Sequence, residues 1–118
     1  LNKNALARLP FIIVYASILI AVPEEILFRG LLQTYLYSII SNTPIVILFS
    51  SLLFGFAHCL NGAKQYGPAG WNWKLISMTF LAGIFLGFSF YVTGSLVLPI
   101  IFHIILILVM KVFVKDII

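Results

Sequence analysis

Glu24 and Glu25 stand side by side in an otherwise apolar stretch, and Arg29 follows four residues after Glu25. The chain's two histidines, His58 and His103, also sit in apolar surroundings. Ionisable groups at membrane depth cost roughly 2.5–3.5 kcal/mol each on insertion scales, so they are seldom there without a task. A carboxylate can take a proton from water, and imidazoles can donate hydrogen bonds or bind a metal. The i,i+4 spacing stacks Arg29 on Glu25, so the guanidinium can neutralise that carboxylate in low dielectric. Glu24 points about 100° away on the same helix. It is therefore the candidate for an unpaired, proton-accepting carboxylate, and Glu25 with Arg29 for a structural or orienting pair. The competing reading makes all three a buried ion network that holds helices together, and each histidine, taken singly, a hydrogen-bonded packing residue.

Composition says what medium must hold these groups. Of 118 residues 63% are hydrophobic and 8% charged, with a mean hydropathy of +1.18, against about 25% charged in soluble domains. A domain of this size buries only about two thirds of its surface, too little to hide so much apolar area from water. An integral membrane protein is expected, with the lipid bilayer as its surroundings. The net charge of +4 is spread too thinly to form a basic, aromatic-interleaved patch, so no nucleic-acid partner is expected. Cys59 is the single cysteine, which excludes an intramolecular disulfide and a multi-cysteine zinc site. The chain opens on Leu1 rather than Met and reads as one membrane domain, residues 1–118, cut from a longer multi-span protein.

The pattern predicts an all-α, polytopic transmembrane helix bundle of about four helices. Residues 9–22 are too few to cross ~30 Å, so the first helix must continue through Pro23, Glu24 and Glu25 to about residue 40. One straight helix over 9–40 would run about 48 Å, so a kink or break near Pro23 or Gly30 is expected. The second span is 44–60, with Pro44 in its first turn behind Ser41, Asn42 and Thr43. The third is 73–91; a tight turn at 93–95 leads to the fourth, 95–114. Gly83 and Gly87 form a small-x-x-x-small face suited to helix packing. Cys59 beside His58 is not read as a nucleophile, because adjacent residues point apart on a helix.

Loop charges orient the bundle. With four spans, the termini and the 61–74 loop share one side and carry Lys3, Arg8, Lys64, Lys74, Lys111 and Lys115, while 41–43 and 92–94 carry none. Cationic residues accumulate on the cytoplasmic face, so both termini and this loop are expected there, in the cell membrane. The loop's Tyr66, Trp71 and nearby Trp73 suit the headgroup region. Counted along their helices, Glu24, His58 and His103 fall in the middle-to-cytoplasmic part of the bundle, where they can share one cavity.

These residues carry a resemblance. Residues 24–30 read E-E-x-x-x-R-G, residues 54–58 read F-x-x-x-H, and His103 stands in the last apolar helix after Gly94, Ser95 and Pro99. In this order and spacing, over about residues 11–110, the chain resembles the CPBP intramembrane proteases, which include the CAAX-processing endopeptidases and bacteriocin-immunity and abortive-infection relatives. The resemblance implies a helical bundle with a cytoplasm-accessible cavity where Glu24 activates water and His58 and His103 assist. It leaves open whether the site works without a cofactor or with a divalent metal such as zinc on Glu24, His58 and His103. The relatives carry Asn or Asp four residues after the last histidine, and this chain has Ile107. Losing one oxyanion donor can cost ~10²–10³ in rate.

The expected function is an intramembrane endopeptidase that hydrolyses a peptide bond of a membrane-associated peptide or protein with glutamate-activated water. The alternative is a weak or inactive relative that binds peptide as an immunity or scaffold protein, which Ile107 favours. A small transporter or proton relay would also use intramembrane Glu and His, but the broken-helix repeats of transporters are missing.

Overall fold

Every apolar run becomes a helix. The computed structural model describes residues 2–113, and among these there is no strand. The helices are α1 (Lys3–Ala7), α2 (Leu9–Ile39), α3 (Thr43–Phe56), α4 (Trp73–Thr93) and α5 (Val97–Phe113). Of these, α2 and α4 are long and apolar enough to cross a membrane, while α3 and α5 are shorter apolar helices. The expected last residue of the fourth span, Val114, and the charge at Lys115 lie outside the described residues.

The first helix does not break at Pro23 or Gly30. It runs as one 31-residue helix whose backbone widens to π spacing over Ala16–Ala21 and again over Ile26–Gln33, on either side of the turn that holds Pro23 and both glutamates. The Val22 amide reaches back to the Ser17 carbonyl, and the Thr34 hydroxyl bonds the Arg29 carbonyl at 3.0 Å. Widened turns of this kind absorb a local mismatch in the ladder and re-aim the side chains that follow.

The second helix is shorter than the 44–60 span expected. Asn42 caps it by accepting from the Ile45 amide at 3.1 Å, with Pro44 in the first turn. It ends at Phe56, where the chain tightens: His58 donates its amide to Gly55 and Cys59 to Phe56. Such i→i−3 bonds close a helix end. His58 therefore sits in the turn beyond the helix. The third helix extends past residue 91 to Thr93 and stops at Gly94, whose φ of +65° suits a residue without Cβ.

Helices α3 and α4 pack closely because glycines leave room. A Cβ on Gly55 would lie 3.0 Å from the Ile76 carbonyl oxygen, and one on Gly83 would lie 3.1 Å from the Phe54 ring. The expected packing role of Gly83 and Gly87 agrees with this contact, since a Cβ on Gly87 would lie 3.0 Å from Gln33 Oε1. The two described ends of the chain meet, the Asn2 amide donating to the Val112 carbonyl at 2.7 Å.

Polarity runs opposite to that of a soluble core. Phe11, Ile18, Leu19, Leu31, Leu81 and Val97 face outward, each 62% to 64% exposed, while Glu25, Arg29, Gln33 and Ser51 are buried. An apolar exterior around polar groups is the arrangement a hydrocarbon solvent favours.

Candidate functional site

Two π-widened stretches flank the single turn Val22–Glu25, which sends the two glutamates in different directions. Glu25 is fully buried, whereas the Glu24 side chain is 29% exposed. The difference follows from their partners. Glu25 Oε2 accepts from Arg29 Nη1 at 3.3 Å and lies 2.7 Å from His103 Nδ1 on α5. Arg29 also donates from Nη2 to the Gly83 carbonyl at 2.9 Å, and its guanidinium lies 4.4 Å above the Phe54 ring. The buried cation thus meets a carboxylate, a carbonyl dipole and an aromatic face. Unpaired, it would cost several kcal/mol.

Glu24 faces the two histidines. Its Oε1 lies 3.6 Å from His58 Nε2 and 3.6 Å from His103 Nε2. Those separations exceed direct hydrogen bonds, and this buried oxygen has no hydrogen bond within the protein. Both rings are held by their other nitrogen: His58 Nδ1 lies 2.8 Å from the Phe54 carbonyl and His103 Nδ1 lies against Glu25. A carbonyl can only accept, so Nδ1 of His58 carries its hydrogen and Nε2 is directed at Glu24. The Phe54 ring packs edge-on against both imidazoles, with centroids 5.1 and 5.8 Å away. Helix α2 supplies the carboxylates, the end of α3 one histidine, and α5 the other.

All three residues line one cavity of about 410 Å³, together with Phe54, Leu86 and Ile107. That volume suits a small ligand or short peptide segment rather than a folded chain. Ile107 therefore shares the cavity with His103, one turn along α5.

Sequence spacing had indicated the Glu25–Arg29 pair and the convergence of Glu24 with both histidines. It carried no sign that His103 bonds Glu25, that Arg29 reaches Gly83, or that Phe54 braces both rings, because these contacts join separate helices. Gln33 was also missed. It is fully buried on the next turn of α2 and donates to the Gly87 carbonyl at 3.1 Å. An amide four residues beyond Arg29 in an apolar helix was the available signal.

The metal alternative would take Glu24, His58 and His103 as its ligands, with Glu24 Oε1 3.6 Å from each histidine Nε2. Among the described residues no group of three or more His, Cys, Asp or Glu could hold a metal ion. What the three donors offer is a polar corner in an apolar cavity, with an unbonded carboxylate oxygen between two imidazole nitrogens. A water molecule there could donate to the carboxylate while meeting the rings.

The family model described as "Rce1-like: Type II CAAX prenyl endopeptidase Rce1-like" matches residues 6–109. No curated protein and no solved structure matches the chain.

Proposed function

This chain belongs to the Rce1-like family of type II CAAX prenyl endopeptidases, and from that premise we propose that it is an intramembrane endopeptidase hydrolysing a membrane-associated protein or peptide. The observation that carries the mechanism is the placement of Glu24 Oε1 between His58 Nε2 and His103 Nε2, at 3.6 Å from each, on the wall of an apolar cavity.

Glu24 takes the proton of a bound water, and the resulting hydroxide attacks the substrate carbonyl. Charge then develops on the carbonyl oxygen, where a donor held in a dry site is worth most. A histidine can donate there from Nε2 only when its ring carries both protons. For His103, Glu25 Oε2 holds the Nδ1 proton, leaving Nε2 to face the reacting oxygen. Glu24 then returns its proton to the leaving amine, so one carboxylate serves as base and acid in turn. Glu25 is the positioning residue for His103, and Arg29 holds Glu25 in place through its second bond to Gly83.

The bundle crosses the membrane four times in this reading, with α3 and α5 extended by flanking residues and a π-widened first helix. The apolar exterior supports it. Residues 1–118 form one membrane domain, and both termini with the 61–74 loop face the cytoplasm. A direct test is cleavage of a membrane-tethered peptide by purified protein in detergent, with Glu24→Gln as the control. Cleavage that survives this substitution in folded protein refutes the assignment.

One observation favours a second reading. Ile107 lines the cavity where the resemblance implies Asn or Asp, so the donor set for the oxyanion is short by one side chain. A weak or inactive relative that binds peptide, as an immunity or scaffold protein does, would keep the same cavity and lose little by that change.

A further inference from the structure

Arg29, Gln33 and Tyr37 stand at four-residue steps on α2, and Gly83, Gly87 and Tyr91 at the same steps on α4. They meet in order. Arg29 Nη2 donates to the Gly83 carbonyl at 2.9 Å, Gln33 Nε2 to the Gly87 carbonyl at 3.1 Å, and the Tyr37 and Tyr91 rings lie 6.3 Å apart. Both hydrogen-bonded pairs are 54 residues apart, so the two helices run side by side here in the same direction and in one register. The charge of Arg29 accounts for the first rung, but nothing of that kind accounts for the second. Gln33 is fully buried; its amide donates to Gly87 and to the Tyr37 hydroxyl at 3.2 Å, while Oε1, also buried, has no hydrogen bond within the protein. An orphaned acceptor counts against stability, and an apolar side chain of the same length avoids it. The amide is therefore there for what it donates to.

The backbone between this rung and the glutamates shows what the bond can hold. In a regular helix a four-residue step overshoots one turn by about 40°, so residues two such steps apart, as Glu25 and Gln33 are, face directions about 80° apart. The widened stretch Ile26–Gln33 takes up that drift by placing more residues in each turn. Glu25, Arg29 and Gln33 accordingly all stay buried, Glu25 bonded to α5 and the other two to α4. Arg29 lies within the widened stretch and Gln33 is its last residue. A Cβ on Gly87 would lie 3.0 Å from Gln33 Oε1, so the glycine leaves the room this rung needs.

We propose that Gln33 is a positioning residue for the reaction: its bond to Gly87 pins the far end of the widened stretch and so sets the direction in which Glu24 and Glu25 point. The assignment rests on the endopeptidase reading of the cavity. Gln33 lies nine residues beyond Glu24 and does not line that cavity, so it acts through the register of α2 on α4 and not by touching substrate. Without its bond the stretch relaxes toward regular spacing, and the part of α2 that carries the glutamates turns relative to α4.

The experiment uses the full chain in detergent with two variants: Gln33→Met, which keeps the length and loses the donor, and Gly87→Ala, which crowds the same rung from α4. Cleavage of a membrane-tethered peptide should show kcat lowered roughly 10-fold or more with KM near that of wild type, because a small misplacement of reacting groups can cost ~10² in rate. Thermal unfolding of Gln33→Met should stay near wild type, since the change also removes an orphaned acceptor. Spin labels at Ile18→Cys and Leu81→Cys, in a Cys59→Ser background, read the geometry without any turnover; both positions face outward, one on α2 and one on α4. Either rung variant should shift or broaden their distance distribution. Unchanged distances in both variants, whatever happens to kcat, overturn the register. Shifted distances with kcat unchanged, or a loss of stability alone with kcat retained in the folded fraction, overturn the positioning role. Shifted distances in a protein whose wild type cleaves nothing overturn the endopeptidase reading and retain the control of register by Gln33. Should Gln33→Met not fold, Gly87→Ala carries the same comparison.

Discussion

His103 Nδ1 lies 2.7 Å from Glu25 Oε2, while Nε2 of the same ring faces Glu24 Oε1 at 3.6 Å. One imidazole thus links two neighbouring carboxylates that differ in burial and bonding. The buried one is tied to Arg29 and fixes the ring; the partly exposed one has an oxygen free for water. A division of labour between adjacent glutamates follows, and it can be tested one residue at a time.

Glu24→Gln should abolish turnover and leave unfolding near normal, since an isosteric amide keeps the shape and loses the base. Glu25→Gln should chiefly destabilise, because removing one partner of a buried pair costs roughly 3–5 kcal/mol. Activity assays paired with thermal unfolding in detergent measure both. Loss of activity in well-folded Glu25→Gln, with Glu24→Gln still active, would reverse the two roles.

Ile107→Asn should raise turnover by ~10-fold or more, because a donor one turn from His103 would face the developing oxyanion in a dry cavity. It should also cost some stability, as an amide enters an apolar wall. If the folded variant gains nothing, and Glu24→Gln leaves the biological effect unaltered, the peptide-binding alternative takes the place of the enzyme.

Chelation should leave activity intact. Elemental analysis of purified protein, followed by chelator treatment and zinc addition, checks this. Stoichiometric zinc, with activity lost to chelator and restored by zinc, would falsify the water-only chemistry of Glu24.

A cysteine probe at position 64, in a Cys59→Ser background, should be inaccessible to membrane-impermeant reagent added outside intact cells. The cationic loop is expected on the cytoplasmic face. Labelling from outside would invert the bundle and move substrate entry to the opposite side.

The chain's own order of residues determined what local geometry and solvent preference control. An apolar composition with few charges demands helices in a bilayer-like medium, because backbone groups must be satisfied within each segment. The four-residue step from Glu25 to Arg29 lies within one helix, so its pairing at 3.3 Å needed no knowledge of neighbours. The family motifs are likewise local, and they point to the family that the match over residues 6–109 shows. What spacing could not supply were the contacts between helices. The bond from His103 to Glu25 joins residues 78 apart, and that from Arg29 to Gly83 joins residues 54 apart. Both depend on how closely α4 and α5 approach α2, and at α4 a missing Cβ leaves room for that approach, since one on Gly87 would lie 3.0 Å from Gln33 Oε1. The end of α3 at Phe56 was equally hidden, because apolar residues continue past it and only the tightened backbone bonds of His58 and Cys59 close the helix. That early end puts His58 in a turn where its Nε2 can meet Glu24, a placement decided by tertiary packing because no periodicity within a single segment encodes it.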